Sequence, residues 1–257
     1  MGGALARGLI KTDALEDGAI TLFDVRTEAA ESLAEELSPN ATVASSAIEA
    51  VRDATVILIA VKPYTVTSLL AEIQSVLTPN HLVISIAAGI TLDKLQTAAG
   101  AGVPVIRVMP NTPSLIGEGA TAISPGASVT DDHTALAVAY FSAVGKAIVV
   151  EERLLDAVTG LSGSGPAYVY LMIEAMADGG VKAGLPRDTA RLLAAQTVFG
   201  ASKMVLSTTD HPAQLKDRVT TPGGTTIAGL AVLESKGFRS AIIEAIDAAA
   251  KRSKELS

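Results

Sequence analysis

The densest set of groups able to do chemistry lies in residues 215–230, LKDRVTTPGGTTIAGL. Pro222 cannot sit in a helix interior, and Gly223–Gly224 provide the unusual φ values of a tight turn. Helix-compatible sequence stands on both sides, so the stretch reads as a helix–loop–helix joint. Thr225 and Thr226 are good caps for the following helix. The joint then presents free backbone N–H groups at a helix N-terminus, ringed by the hydroxyls of Thr220, Thr221, Thr225 and Thr226. Such a concavity suits a small anion, a carboxylate in particular. A plain helix–helix turn has the same local sequence, so the choice rests on the rest of the chain.

Composition narrows the chemistry. The chain has 257 residues, too many for most single cores, and reads as two domains. With no cysteine, disulfides, thiolate metal sites and a cysteine nucleophile are excluded. A net charge of −7 without a basic block argues against nucleic acid and anionic membranes. No apolar run approaches the ~18 residues of a membrane span, and the N-terminus lacks the pattern of a signal peptide. A cytoplasmic location is expected. His81, His133 and His211 are scattered without metal-ligand spacing and read as surface or loop residues. There is no nucleophile elbow and no obvious acid–base dyad. Hydride transfer fits that absence, because it needs positioning and a cofactor more than a protein nucleophile.

The elements that must position these groups fall in two halves. Residues 1–152 alternate between strand and helix signals, beginning with a helix over 2–10. Strands are expected at 19–24, 56–61, 82–86, 105–109, 120–123 and 147–150. Helices are expected at 28–37, 65–76, 92–99 and 132–144 between them. This alternation predicts an α/β fold with a doubly wound parallel sheet, whose ligands sit beyond the carboxyl ends of the strands. Those ends carry Asp24, Arg26, Ala60, Val61, Lys62, Pro63, Ala87, Ala88, Gly89 and Asn111. Arg26 suits the 2′-phosphate of NADP or is a solvated strand-end arginine. Asp24 is discordant, since a carboxylate there favours the free ribose of NAD. Lys62 either contacts cofactor or points to solvent. Asn111 either bonds a nicotinamide amide or is a turn residue between Pro110 and Pro113. Gly2 and Gly3 open the first helix as an incomplete glycine-rich turn, and Ser46 completes the expected cofactor-contacting set.

From about Leu154 the strand signal disappears, and residues 153–257 read as an all-α domain. Pro166 begins a long helix, Gly184-Leu185-Pro186 separates it from the next, and two more flank and follow the threonine-rich joint. These helices are apolar around much of their circumference, more than so small a domain can bury alone. A homodimer through them is expected.

In sequence order, VILIAVKP (56–63), SIAAG (85–89), RVMPNTP (107–113) and DAVTGLSGSGPAY (156–168) resemble the pyrroline-5-carboxylate reductases. The resemblance continues through ADGGVKAGLPRDTA (177–190), AAQTVFGASKM (194–204) and HPAQLKDRVTTPGGTTIAGLAVLESKGFR (211–239), covering nearly the whole chain. It implies a Rossmann domain joined to a helical dimerisation domain, with dimers assembling further into rings. It also implies reduction of the C=N bond of 1-pyrroline-5-carboxylate by NADPH or NADH to L-proline. Carried onto this sequence, Thr226 bonds the ring nitrogen and assists its protonation. The backbone at Gly224 and Thr225 and the hydroxyl of Thr221 serve the carboxylate, and Glu152 lines the site. Arg218 stands where some relatives have asparagine. Gly163 and Gly165 are expected to allow close helix approach, with Ser164 placed to face the site. One departure is plain: Met1-Gly2 coincides with the end of the family's G-x-G-N-M-G-type turn, so its first strand and first two glycines are absent from this sequence. Poor dinucleotide binding by the 257-residue chain is therefore expected. Reduction of another small cyclic imine or a keto acid, and a non-catalytic dinucleotide-binding role, are the alternatives.

Overall fold

A computed structural model describes residues 1–12, 15 and 19–256. The chain divides into two compact units, Met1–Ser164 with Ala248–Ser257, and Gly165–Asp247.

In the first unit, strands β1 (Ile20–Leu22) and β2 (Ala41–Val43) form a short parallel ladder. A second sheet runs in the order β3 (Val56–Ile59), β4 (Leu82–Ser85), β5 (Val105–Met109), β6 (Gly119–Pro125) and β7 (Gly145–Val149). Among the described residues no ladder joins β1 to β3. That break falls where a doubly wound sheet places a central strand. The β5–β6 pair is antiparallel, a reversal within an otherwise parallel sheet. Its cause is the short connection, residues 110–118. Parallel strands need a crossover of a dozen or more residues, whereas here a 3₁₀ turn, Thr112–Ile116, ends at Gly117 in the left-handed region (φ 79°).

Helices cover both faces of the larger sheet. On one face α3 (Ala47–Arg52), α4 (Pro63–Ile73) and α5 (Leu92–Ala99) bury Val51, Val66, Leu70, Ile73 and Leu95 against Ile57, Ile59, Val83 and Val105. On the other, Leu5 of α1 (Gly2–Lys11) and Phe141 of α6 (Asp131–Ser142) meet Leu82, Ile84, Ile106, Val108 and Ile123. Successive strand residues thus point into opposite cores, which explains the uninterrupted apolar runs. Helix α2 (Thr27–Glu36) follows β1 and buries Ala30. Among the elements between the strands, β2 and α3 escaped the sequence reading. The first has only three residues, too few to display a period. The second has six, starting at the Ser46 cap. His81 lies in a loop, as one of the two expectations had it, but is buried, its Nδ1 accepting from the Thr78 N–H at 2.8 Å.

The second unit is helical: α8 (Gly165–Lys182), α9 (Arg187–Ser207), α10 (Pro212–Arg218), α11 (Thr225–Ser235) and the greater part of α12 (Phe238–Leu256). The four-residue helix α7 (Leu155–Val158) and a π-turn, Thr159–Gly163, precede it in the first unit. Helices α8 and α9 approach closely because Gly180 faces Ala190, whose Cβ would lie 3.0 Å from a Cβ on the glycine. The buried apolar residues of this unit are Ala177, Ala190 and Ala194, while Leu171, Leu192, Phe199, Leu206 and Ile243 stay exposed.

Candidate active site

The strand ends of the first unit gather most of the expected cofactor contacts. Helix α1 starts directly after Met1, and the N–H groups of Gly2 and Gly3 have no partner among the described residues. A Cβ on Gly2 would stand 2.9 Å from the Ala60 Cβ, so only glycine lets this helix start approach the end of β3. Two N–H groups at the positive end of a helix, with no side chain bonded to them, fit a phosphate. Beyond β3, Ala60, Val61 and Lys62 are exposed, and Lys62 caps α4 with Pro63 in its first turn. Ser46 caps α3 by accepting from the Glu49 N–H at 3.1 Å. The neighbouring Ser45 bonds the Glu49 carboxylate through both its N–H and its hydroxyl, which holds that carboxyl below its usual range.

Asp24 and Arg26 interact with each other. The Arg26 N–H donates to Asp24 Oδ1 at 2.9 Å, and the guanidinium Nε lies 3.7 Å from the same oxygen. The arginine side chain stays mostly exposed. Past β4, Ala87 is buried, Ala88 is exposed and Gly89 adopts φ 76°.

Asn111 and Glu152 are occupied within the fold. The Asn111 side chain donates to the Ser162 carbonyl at 3.0 Å and accepts from the Ala120 N–H at 2.9 Å, tying β5 to β6 and to the π-turn. Glu152 Oε1 accepts from Arg107 Nη1 at 2.9 Å and from the Leu92 N–H at 2.6 Å. Arg107 had no role in the sequence reading. Its signal was a single charge inside the apolar strand VIRVM, where a buried arginine must find an anion. Gly163 meets the expectation of close approach, since a Cβ there would lie 2.7 Å from the Met109 methyl group; Gly165 is open.

In the second unit, the joint between α10 and α11 takes the expected helix–loop–helix form. Only Gly223 has positive φ (67°), whereas Gly224 has an ordinary φ of −79°. Glycine at 224 avoids a clash, because a Cβ there would run into the Thr221 hydroxyl and lie 3.2 Å from the Thr221 carbonyl oxygen. Gly224, not a threonine, is the cap of α11, and no side chain bonds the helix start. Thr225 and Thr226 are therefore the first two helical residues, and their hydroxyls and N–H groups have no partner among the described residues. The Thr220 hydroxyl is instead turned back to the Lys216 carbonyl at 2.8 Å. Arg218 pairs with Asp210 at 2.6 Å. The Thr221 hydroxyl, like those of Thr225 and Thr226, has no hydrogen-bond partner among the described residues.

Residues 152–256 match the family model described as pyrroline-5-carboxylate reductase dimerisation, and residues 1–89 match NADP oxidoreductase, coenzyme F420-dependent. Pyrroline-5-carboxylate reductase of Escherichia coli (strain K12) is 45% identical over 257 residues, covering 100% of this chain and 95% of that protein. The Synechocystis enzyme of the same name is 56% identical over 211 residues, covering 81% of this chain and 77% of its own. The chain belongs to the pyrroline-5-carboxylate reductase family. Among solved structures, that of a Coxiella burnetii pyrroline-5-carboxylate reductase superposes with a TM-score of 0.93 at 35% identity, covering 99% of this chain and 94% of its own. A Plasmodium falciparum pyrroline carboxylate reductase with NADP bound gives 0.86 at 33% identity, covering 100% and 94%. This family member is thus an NAD(P)H-dependent oxidoreductase with a dimerisation domain. Among the described residues no cluster of three or more potential ligands could hold a metal ion. Among the described residues no helix is long and apolar enough to cross a membrane.

Proposed function

We propose that this protein reduces the C=N bond of 1-pyrroline-5-carboxylate to L-proline in the cytoplasm, as a homodimer that assembles further into a ring. The observation that carries the reading is the bare start of α11. Its unpartnered N–H groups and the hydroxyls of Thr221, Thr225 and Thr226 suit a substrate with one carboxylate and one ring nitrogen. The backbone of Gly224 and Thr225 and the hydroxyl of Thr221 hold the carboxylate. Thr226 bonds the nitrogen and keeps its proton in place, so that the adjacent carbon is electrophilic.

The cofactor supplies the hydride that this carbon accepts. Gly2 and Gly3 hold its pyrophosphate, while Ser46, Ala60, Val61, Lys62, Pro63, Ala87, Ala88 and Gly89 line its path along the strand ends. Asn111 acts by fixing the end of β5. The preferred form is NADPH, because Asp24 is engaged by the Arg26 N–H while the Arg26 guanidinium stays mostly exposed for a 2′-phosphate. The dimer rests on the exposed apolar helices and on an open groove of about 850 Å³ lined by Tyr170, Leu171, Ile173 and Arg191.

The test follows nicotinamide absorbance with pyrroline-5-carboxylate, with a six-membered cyclic imine and without substrate. Oxidation of NADPH with the five-membered imine and formation of proline are expected. Cofactor binding without proline formation would overturn the reading.

A further inference from the structure

The Glu152 carboxylate, expected to line the substrate site, bonds the start of α5. Leu92, whose N–H it accepts, is the first residue of α5, and residues 87–91 immediately before it form the loop past β4. The α5 cap, Thr91, accepts from the Lys94 N–H at 3.3 Å, which leaves the Leu92 N–H for Glu152. A carboxylate at a helix start is favoured by the helix dipole as well as by the hydrogen bond. Arg107, 8% exposed in its side chain, sits inside β5 and orients this carboxylate from below. The end of α12 packs on the same loop, its Leu256 carbonyl 3.3 Å from where a Cβ of Gly89 would stand. Ser253, one turn earlier, donates to Asp156 at 2.7 Å.

We propose that Glu152 is a positioning residue for the cofactor, not a substrate ligand. It fixes the start of α5, and with it the backbone of residues 87–91, while Arg107 holds its carboxylate in register. Gly89 has the backbone freedom of glycine at φ 76°, so this loop needs an external tie to keep one conformation. The proposal rests on the reading of the strand ends as the cofactor site.

The experiment compares variants of the full-length protein. Arg107→Met with Glu152→Leu removes the buried charge pair and the acceptor for Leu92 together. Arg107→Met with Glu152→Gln removes the pair but leaves an amide oxygen for Leu92. Removing both charges avoids stranding one of them in the interior. Glu152→Asp keeps Arg107 paired and draws the carboxylate back from Leu92 by one methylene. The leucine variant should raise the Kd for NADPH about tenfold, the size expected for losing a charged hydrogen bond that acts through a loop. The KM for the imine should change less than about twofold. The glutamine variant should recover most of the affinity, and the aspartate variant should lose about threefold. A raised imine KM with unchanged NADPH Kd, or equal NADPH binding by the leucine and glutamine variants, would overturn the proposal. Because the Kd is read by calorimetry without substrate, a protein that binds NADPH and never makes proline sinks the proposed function and leaves this inference standing.

Discussion

The two units solve the burial problem differently. In the first, Leu5, Leu70, Ile84 and Phe141 are all at most 1% exposed, and polar ties fasten distant segments: Arg107 to Glu152, Asn111 to Ser162, Ser253 to Asp156. In the second, the buried apolar residues are three alanines, while Leu171, Leu192 and Leu206 are each more than 60% exposed. Alanine-mediated contact brings α8 and α9 close but removes little apolar area from water. The first unit has its own cores. The second leaves large apolar side chains exposed, and the family's dimerisation model spans it.

The sharpest break of that contrast is in the core of the first unit. Leu70→Ala should cost about 2–5 kcal/mol, the range for emptying a fully buried leucine site. Denaturant melts should show the same loss at every protein concentration. The converse experiment is Leu171→Glu on the exposed face of α8, which should weaken self-association about a hundredfold. Light scattering across micromolar concentrations reads it, and an undisturbed dimer would show that this face of α8 is not the one covered.

A smaller effect separates the chemistry of the two units. Thr226→Ala should lower kcat about tenfold, as expected for losing one hydrogen bond to the reacting nitrogen, with little change in NADPH affinity. Unchanged kcat would reduce Thr226 to a helix-starting residue. The smallest effect concerns Glu49, whose carboxyl is held below its usual range first by the Ser45 hydroxyl and then by the Ser45 N–H. Its folded pKa is depressed, so the stability it contributes is present above the unfolded carboxyl pKa and lost as pH falls through the lower folded value. Ser45→Ala should move the Glu49 titration upward in a carboxyl-carbon NMR titration, because one of two bonds to the charged form is gone.

Much of this protein was legible in its residues. The apolar run at β3 announced a sheet buried on both faces, because a strand covered on both sides cannot alternate. The proline and glycine pattern at 222–224 announced a helix–loop–helix joint with a new helix start, because proline and glycine act on their own backbone. Such signals are local. Other features were decided only when distant segments met. The short strand β2 depends on its pairing with β1, and the reversal of β6 depends on the length and turn of residues 110–118. Gly224 rather than a threonine is the cap, and the Thr221 hydroxyl lies close beside it. Glu152 finds Leu92 and Arg107 at separations of 60 and 45 residues, a partnership that no periodicity records. Local sequence sets which φ, ψ and cap a segment can adopt. Which carboxylate meets which buried charge is a property of the folded packing, where an unpaired ion is too costly to leave alone.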